Sequence, residues 1–367
     1  MDTGSGLSPL DDLPVHQIAE PVRHVGTSDR NFYDRYYFNC FDRDASLMLV
    51  VGMGQYPNLG VADAFAVVND RSRHRVVRAS RELGADRGDT AVGPFHVEVL
   101  EGLRRLRIVL EDNEHGLAFD LTWDAHDPAH LEPRHFDRSM GRVLIDSTRF
   151  AQTGRWTGLI RVGDDETRVT PDAWLGSRDR SWGVRPVGEP EPPGIRGRDA
   201  ALPGFFWLYA PMQLDDRSLY FSVQERPDGR RILQEAAEVR SFAAGGGAPT
   251  DLGAPQHELH FIEGTREIEH ATLRLGDLRV RVTPLLRLHV GIGTGYGFDP
   301  DWRHGMYQGP LVVQGREWDL TTDEGRKAMW GLCDSVARVE LDDGTAGYGL
   351  FEYMVFGPHE RYGFEGW

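Results

Sequence analysis

Residues 95–111 read FHVEVLEGLRRLRIVLE, and this stretch decides the fold. Apolar side chains fall at 95, 97 and 99, then at 106, 108 and 110, a spacing of two that a strand gathers on one face and a helix would scatter around its axis. The stretch predicts a hairpin, with Gly102 near its turn. Just downstream, residues 116–123 (GLAFDLTW) put Leu117, Phe119, Leu121 and Trp123 on one face in the same way. Residues 272–283 (TLRLGDLRVRVT) repeat the pattern around Gly276-Asp277, with Leu278, Val280 and Val282 alternating with arginines.

The rest of the chain extends this reading. Residues 31–58 predict two strands about Asp42-Arg43-Asp44, and residues 64–68 and 75–78 predict two more about Asn69-Asp70. Residues 124–150, which contain HDPAHLEPRHFDR, read as irregular, and strand–turn–strand chemistry resumes from 154 around Gly163-Asp164-Asp165. Further on, Pro227-Asp228-Gly229 and Asp342-Asp343-Gly344 mark the turns of two more hairpins, the second over 338–356. One short helix is expected near 323–332, opened by a Thr321-x-x-Glu324 capping box. Many short strands with regular turn signals predict an all-β architecture of packed or closed sheets. Residues 187–203, with four prolines and several glycines, cannot sustain a helix or an interior strand. They read as a linker between β-domains at 31–186 and 204–367, after an N-terminal extension at 1–30.

Composition narrows the function. The 367 residues include 57 acidic and 41 basic ones, a net charge of −16 that repels a polyanion, so nucleic acid is not expected as a partner. Lys327 is the one lysine, which leaves guanidinium as the cation of any pocket and disfavours Schiff-base chemistry. Cys40 and Cys333 form neither a disulfide framework nor a C-x-x-C pair and read as core residues of a protein in a reducing compartment. The acidic start MDTGSGLSPLDDLP lacks a basic n-region and an apolar h-region, and the apolar run at 47–54 falls far short of the roughly 18 residues of a membrane span. A cytoplasmic protein without an integral membrane segment is expected.

Several constellations invite chemistry. His126, His130 and His135 match no ligand spacing, and Pro128 and Pro133 break any helix that would align them. His257 and His260 point to opposite faces if their segment is a strand. No metal site is expected from either group. The alternating glycines of 291–297 (GIGTGYG) precede no helix, so they read as a barrel strand approached closely by backbone or ligand, not as a phosphate cradle. No G-x-S-x-G elbow is present. The most distinctive run is 174–185, WLGSRDRSWGVR, which as a strand sends Asp179, Ser181 and Gly183 to one face and Arg178, Arg180 and Trp182 to the other. Two readings of Asp179 stand side by side: a member of an Arg–Asp network closing a barrel end, or a carboxyl that exchanges a proton in a pocket. Phe206, Trp207 and Tyr209 form a second polar–aromatic set, and Glu352 stands alone among apolar strand residues, either paired inside or facing water. Tyr56, in a Tyr-Pro-Asn turn, is a pocket-rim candidate.

Four motifs together, GMGQYPNLGVAD at 52–63, GRWTG at 154–158, GSRDRSWG at 176–183 and GLFE at 349–352, resemble the double-lipocalin superfamily that includes hydroxyneurosporene synthase (carotenoid 1,2-hydratase) and the AttH-like proteins. The resemblance implies two lipocalin-like antiparallel β-barrel or sandwich domains in tandem, with an apolar ligand site between or within them. It also implies relatives that hydrate, cyclise or isomerise isoprenoid-type alkenes without a redox cofactor. The His-x-Trp pair of the carotenoid hydratases stands here as Arg180-x-Trp182, and their Tyr-x-Asp pair has no counterpart, because Tyr209-Ala210-Pro211 lacks the acid. Arginine does not donate a proton at neutral pH, so Asp179 becomes the nearest acid. The expected function is therefore a cofactor-independent hydratase, isomerase or cyclase for a hydrophobic isoprenoid- or steroid-like molecule. Asp179, Glu352 and Tyr209 are its catalytic candidates, and Trp182, Trp207, Arg178, Arg185, Tyr56 and Phe206 its substrate-binding candidates. The alternative is a non-catalytic carrier for an apolar, lipid-like ligand.

Overall fold

A computed structural model describes residues 6–139, 141–192 and 204–366. Among these residues the chain forms two antiparallel sheets of fourteen and nine strands. Both follow one plan. In each, the first strands run outward as a meander, the later ones return on the other side, and the last pairs with the first: Trp174–Val184 with Phe32–Asp42, and Ala346–Phe356 with Phe205–Gln213. The first sheet takes in one strand from beyond the 187–203 segment, because Leu311–Asp319 pairs with its edge strand Arg73–Glu82. Of that segment, 193–203 lie outside the described residues.

Each sheet rolls around its own core. Ala79 near one edge of the first sheet shares a core with Phe95 and Val97 near the other, and Ala236 and Leu259 do the same in the second. A third core joins the two. Tyr37, Phe41, Val67 and Leu175 of the first sheet pack with Trp207, Tyr209, Tyr220 and Leu288 of the second. Strand alternation produces this division, since Phe38 and Cys40 point into the first barrel while their neighbours Tyr37 and Phe41 point toward the second. Both faces of that strand are thus buried, as they are in the Met48–Tyr56 and Val61–Asn69 strands beside it.

The hairpins read from 95–111 and 272–283 are present as Phe95–Glu101 with Arg105–Leu110, and Ile268–Leu275 with Leu278–Leu288. Three expectations are corrected. Residues 124–150 are not irregular throughout: Arg142–Val162 is one continuous 21-residue strand, and His130–Leu131 and His135–Ser139 pair with it. Its first part escaped the period-two reading because Ser147 and Arg149 alternate with Ile145 on a face that lines a cavity instead of a core. The glycine-rich run at 291–297 is a loop and not a strand, with Gly293, Gly295 and Gly297 at φ 81, 102 and 96, where an L side chain is strained. The short helix spans only Asp323–Lys327, and its cap is Thr322, whose Oγ1 accepts from the Gly325 amide at 3.1 Å, one residue beyond the box expected at Thr321.

Candidate functional site

The face between the sheets encloses a cavity of about 450 Å³. Alternation along Phe32–Asp42 brings Tyr33, Arg35 and Tyr37 to its wall, and alternation along Trp174–Val184 brings Asp179 and Ser181, with the Asp179 Cα opposite that of Tyr37. The second sheet supplies Phe205, Trp207, Glu352 and Met354 from its two central strands. Tyr296 and Phe298 reach in from the glycine-rich loop and the residue after it, Arg149 from the long strand, and Glu132 and His135 from the segment paired beside that strand. The wall is therefore aromatic with a belt of charge, not uniformly apolar.

A pair of carboxyls dominates the second-sheet side. Asp334 and Glu352 are cross-strand partners, and Asp334 is fully buried. The Tyr37 hydroxyl donates to Asp334 Oδ2 and the Trp207 indole N–H donates to Glu352 Oε1. Asp334 Oδ1 is buried with no hydrogen-bond partner among the described residues, and Glu352 stands directly across from it on the neighbouring strand. Two carboxyls side by side away from water repel each other as anions, which favours a proton on the buried Asp334. Burial first, and the adjacent Glu352 second, push Asp334 well above the usual carboxylate range.

Charges of both signs meet on the facing side. Asp179 is half-buried, and burial raises its pKa to about 6 against the opposing pull of the Arg149, Arg185 and Arg35 guanidiniums. Arg149 Nε donates to Glu132 Oε2 at 2.6 Å, and the Tyr209 hydroxyl donates to Glu132 Oε1 at 3.2 Å. Burial lifts Glu132 to about 7 although Arg149 works against it. The Arg149 guanidinium carbon also lies 4.2 Å from the centroid of the Tyr209 ring, which stacks on Trp207. Burial, with Arg149 nearby, draws His135 down to about 4, so it stands neutral at this wall.

The sequence candidates divide accordingly. Asp179, Glu352, Trp207 and Arg185 are brought together on the wall. Tyr209 stands one residue behind it, joined through Glu132, and Tyr56 stands behind Arg35, which donates to its hydroxyl at 2.7 Å. Arg178, Trp182 and Phe206 are placed elsewhere. Arg178 turns away from Asp179 to Gln152, with 3.0 Å between Nε and Oε1, and Trp182 packs edge-on to Phe150. Phe206 points into the second barrel, where it stacks on His257, itself 2.9 Å from Glu225. Sequence reasoning missed Asp334, Tyr37, Glu132 and Arg149. A signal existed for Asp334: counting outward from the Asp342-Asp343-Gly344 turn places it opposite Glu352. The described residues contain no group of three or more His, Cys, Asp or Glu arranged to hold a metal, and no helix long and apolar enough to cross a membrane.

No curated protein sequence matches the chain. Among solved structures, the AttH-like protein NE1406 of Nitrosomonas europaea superposes with a TM-score of 0.55 at 14% identity, over 95% of this chain and 99% of that one. Kievitone hydratase of Nectria haematococca gives a TM-score of 0.47 at 12% identity, covering 90% and 93% of the two chains. CghA with Sch210972 gives 0.45 at 11% identity, covering 89% of each. The likeness to NE1406 is one of fold, the tandem lipocalin-like barrels that the sequence motifs resemble. Over residues 7–365 the chain matches DUF8625, and it belongs to that family of unknown function.

Proposed function

We propose that the protein is a cofactor-independent acid/base enzyme, a hydratase, isomerase or cyclase, acting on a hydrophobic small molecule of the isoprenoid or steroid kind. The observation that carries this reading is the placement of three carboxyls: Glu352 on one side of the cavity with the fully buried Asp334 beside it, and Asp179 on the other side. A neutral carboxyl gives a proton to a substrate carbon from the second-sheet side. Asp179, ionised above a pH of about 6, then takes a proton from another substrate carbon or from an attacking water. Moving a proton between two carbons shifts a double bond. Removing it from water completes a hydration, and attack by an internal group closes a ring. Tyr37 and Trp207 orient the acid pair, while Tyr209, through Glu132, positions Arg149. The guanidiniums of Arg149 and Arg185 act on Asp179 from nearby and make a free carbocation unfavourable there. They favour a substrate whose developing charge is drawn onto an oxygen.

The test is incubation of wild type, Asp179→Asn and Glu352→Gln with small-molecule extracts of the source organism, followed by mass spectrometry and chromatography. Wild type is expected to convert a bound compound to an isomer, or to a product differing by one water, and each variant to lose at least about 100-fold in rate. Full turnover by both variants, or a co-purified ligand returned unchanged by wild type, would defeat the enzyme reading. The second result would establish the carrier instead.

A further inference from the structure

A second cavity, of about 410 Å³, adjoins the first, and Arg185, Pro186 and Tyr296 belong to the walls of both. Its charges do not cancel. Arg142 pairs with Glu191, and Arg30 lies 3.7 Å from Glu191 and 3.9 Å from Glu189, so both carboxylates of the wall have cations. Arg185 and Arg303, also on this wall, make no ion-pair contact with a carboxylate among the described residues, although Arg185 acts on Asp179 from farther away, and the Nε of each is buried without an acceptor. Arg185 Nη2 does lie 3.3 Å from His304 Nδ1, but that ring brings no negative charge. Its Nε2 bonds the Thr294 carbonyl at 3.0 Å, and burial together with Arg35 and Arg185 holds its pKa well below the ordinary value, so it stands neutral. The Arg185 guanidinium also lies 4.7 Å from the centroid of the Tyr33 ring, a contact that fixes the arginine without neutralising it. Two partly buried guanidiniums with unmet donors carry a desolvation cost, which an oxyanion repays through charge-assisted hydrogen bonds.

We infer that this outer cavity is a subsite for an oxyanionic end of the substrate, held by Arg185 and Arg303, so that the substrate is an amphipathic acid whose apolar skeleton occupies the central cavity. The inference rests on the reading of the central cavity as the substrate site. A pair of fluorescent probes differing by one sulfonate separates the two ideas: 8-anilinonaphthalene-1-sulfonate and its uncharged analogue N-phenyl-1-naphthylamine. Wild type is expected to bind the sulfonate about tenfold more tightly. Arg303→Gln is expected to weaken sulfonate binding by about tenfold and leave the neutral probe unchanged, which also reports that the variant is folded, while Arg185→Gln, on the wall of both cavities, is expected to weaken the sulfonate about tenfold more than the neutral probe. Arg281→Gln, at an exposed position on the second sheet, is expected to change neither. Phe205→Ala and Met354→Ala, confined to the central cavity, are expected to weaken both probes. Equal affinity of wild type for the two probes, or sulfonate binding indifferent to both cavity arginines or equally sensitive to Arg281, would overturn the subsite while the Phe205 and Met354 effects still upheld the central site. Probe binding indifferent to Phe205 and Met354, or no binding of either probe, would overturn both.

Discussion

Tyr37 and Asp179 sit on neighbouring strands with their Cα atoms paired, yet they meet the cavity in different chemical states. Tyr37 spends its hydroxyl proton on Asp334, whose other oxygen is buried without a hydrogen-bond partner among the described residues. Tyr37→Phe removes that donor from a fully buried carboxyl, so it is expected to lower stability by about 1–3 kcal/mol in urea unfolding. A change below about 0.5 kcal/mol would mean that Asp334 does not rely on it. Asp179 predicts an opposite kind of effect. Its folded pKa of about 6 lies above the ordinary 3.8, so the folded state binds this proton more tightly than the unfolded chain does. The associated stability is complete below the unfolded value and is lost as pH rises through the folded one. Asparagine does not ionise, so Asp179→Asn is expected to gain on wild type between about pH 4 and about pH 8, by on the order of 1–2 kcal/mol after screening by cavity water. Urea titrations at the two ends of that range read the difference. A constant gap between the two proteins would show that Asp179 is not raised, and a widening deficit of the variant would show that its ionised form is stabilised.

At the scale of strands, space explains one of the motifs. Gly176 opens the GSRDRSWG run, and a Cβ placed there would lie 2.0 Å from the Asn39 carbonyl oxygen and 2.7 Å from Trp156 Nε1, which donates to that same oxygen. Neither the backbone nor a fully buried tryptophan can move aside cheaply. Gly176→Ala is therefore expected to cost about 3 kcal/mol or more, seen as a fall in the urea midpoint or as loss of soluble protein. Near-wild-type stability would mean that the two strands separate more easily than their pairing implies. The elements whose pattern was legible are those with one face in a barrel core and the other in water. Leu273, Val280 and Val282 are buried while Arg279 and Arg281 are exposed, so the 272–283 hairpin could be read directly from residue spacing. The start of Arg142–Val162 was not legible, because its inward face lines the cavity with Ser147 and Arg149, and period-two hydrophobicity vanishes where a strand faces a polar site. Asp179 and Glu352 could be singled out as isolated carboxyls in strands. Glu132 and Arg149 could not, since they meet each other and Tyr209 only after two distant segments come together.

The whole molecule turns on what lies between its barrels. Thr153 Oγ1 is 2.6 Å from Ser218 Oγ, His130 Nε2 is 2.7 Å from Glu235 Oε1, and the Asn69 amide donates to the Arg287 carbonyl at 2.6 Å, each bond joining the first sheet to the second. The third core adds Phe41, Val67 and Leu175 on one side and Tyr220, Leu288 and Val336 on the other. Parting the barrels would strip this apolar surface and leave Asp127 and Asp334 without the tyrosine donors that reach them across the interface, Tyr220 and Tyr37. Such losses of about 1–3 kcal/mol per buried polar group, added to those of the exposed core, exceed what one barrel could retain alone as a separately stable unit. The Leu311–Asp319 strand works in the same direction, because unfolding the second half of the chain removes the strand paired to Arg73–Glu82 of the first sheet. The two barrels, although each repeats the same strand plan, are therefore expected to unfold together. Urea unfolding followed by tryptophan fluorescence and by far-ultraviolet circular dichroism should give coincident single transitions, with a slope appropriate to the whole chain. The fluorescence signal draws on both sides, since Trp123, Trp156 and Trp174 belong to the first barrel and Trp207 to the second sheet. Two separated transitions, or a fluorescence midpoint displaced from the dichroism midpoint, would show that the barrels are independent. The cavity and its acid pair would then lie at a junction that opens before either barrel unfolds, and Tyr37→Phe would shift only the first of the two transitions.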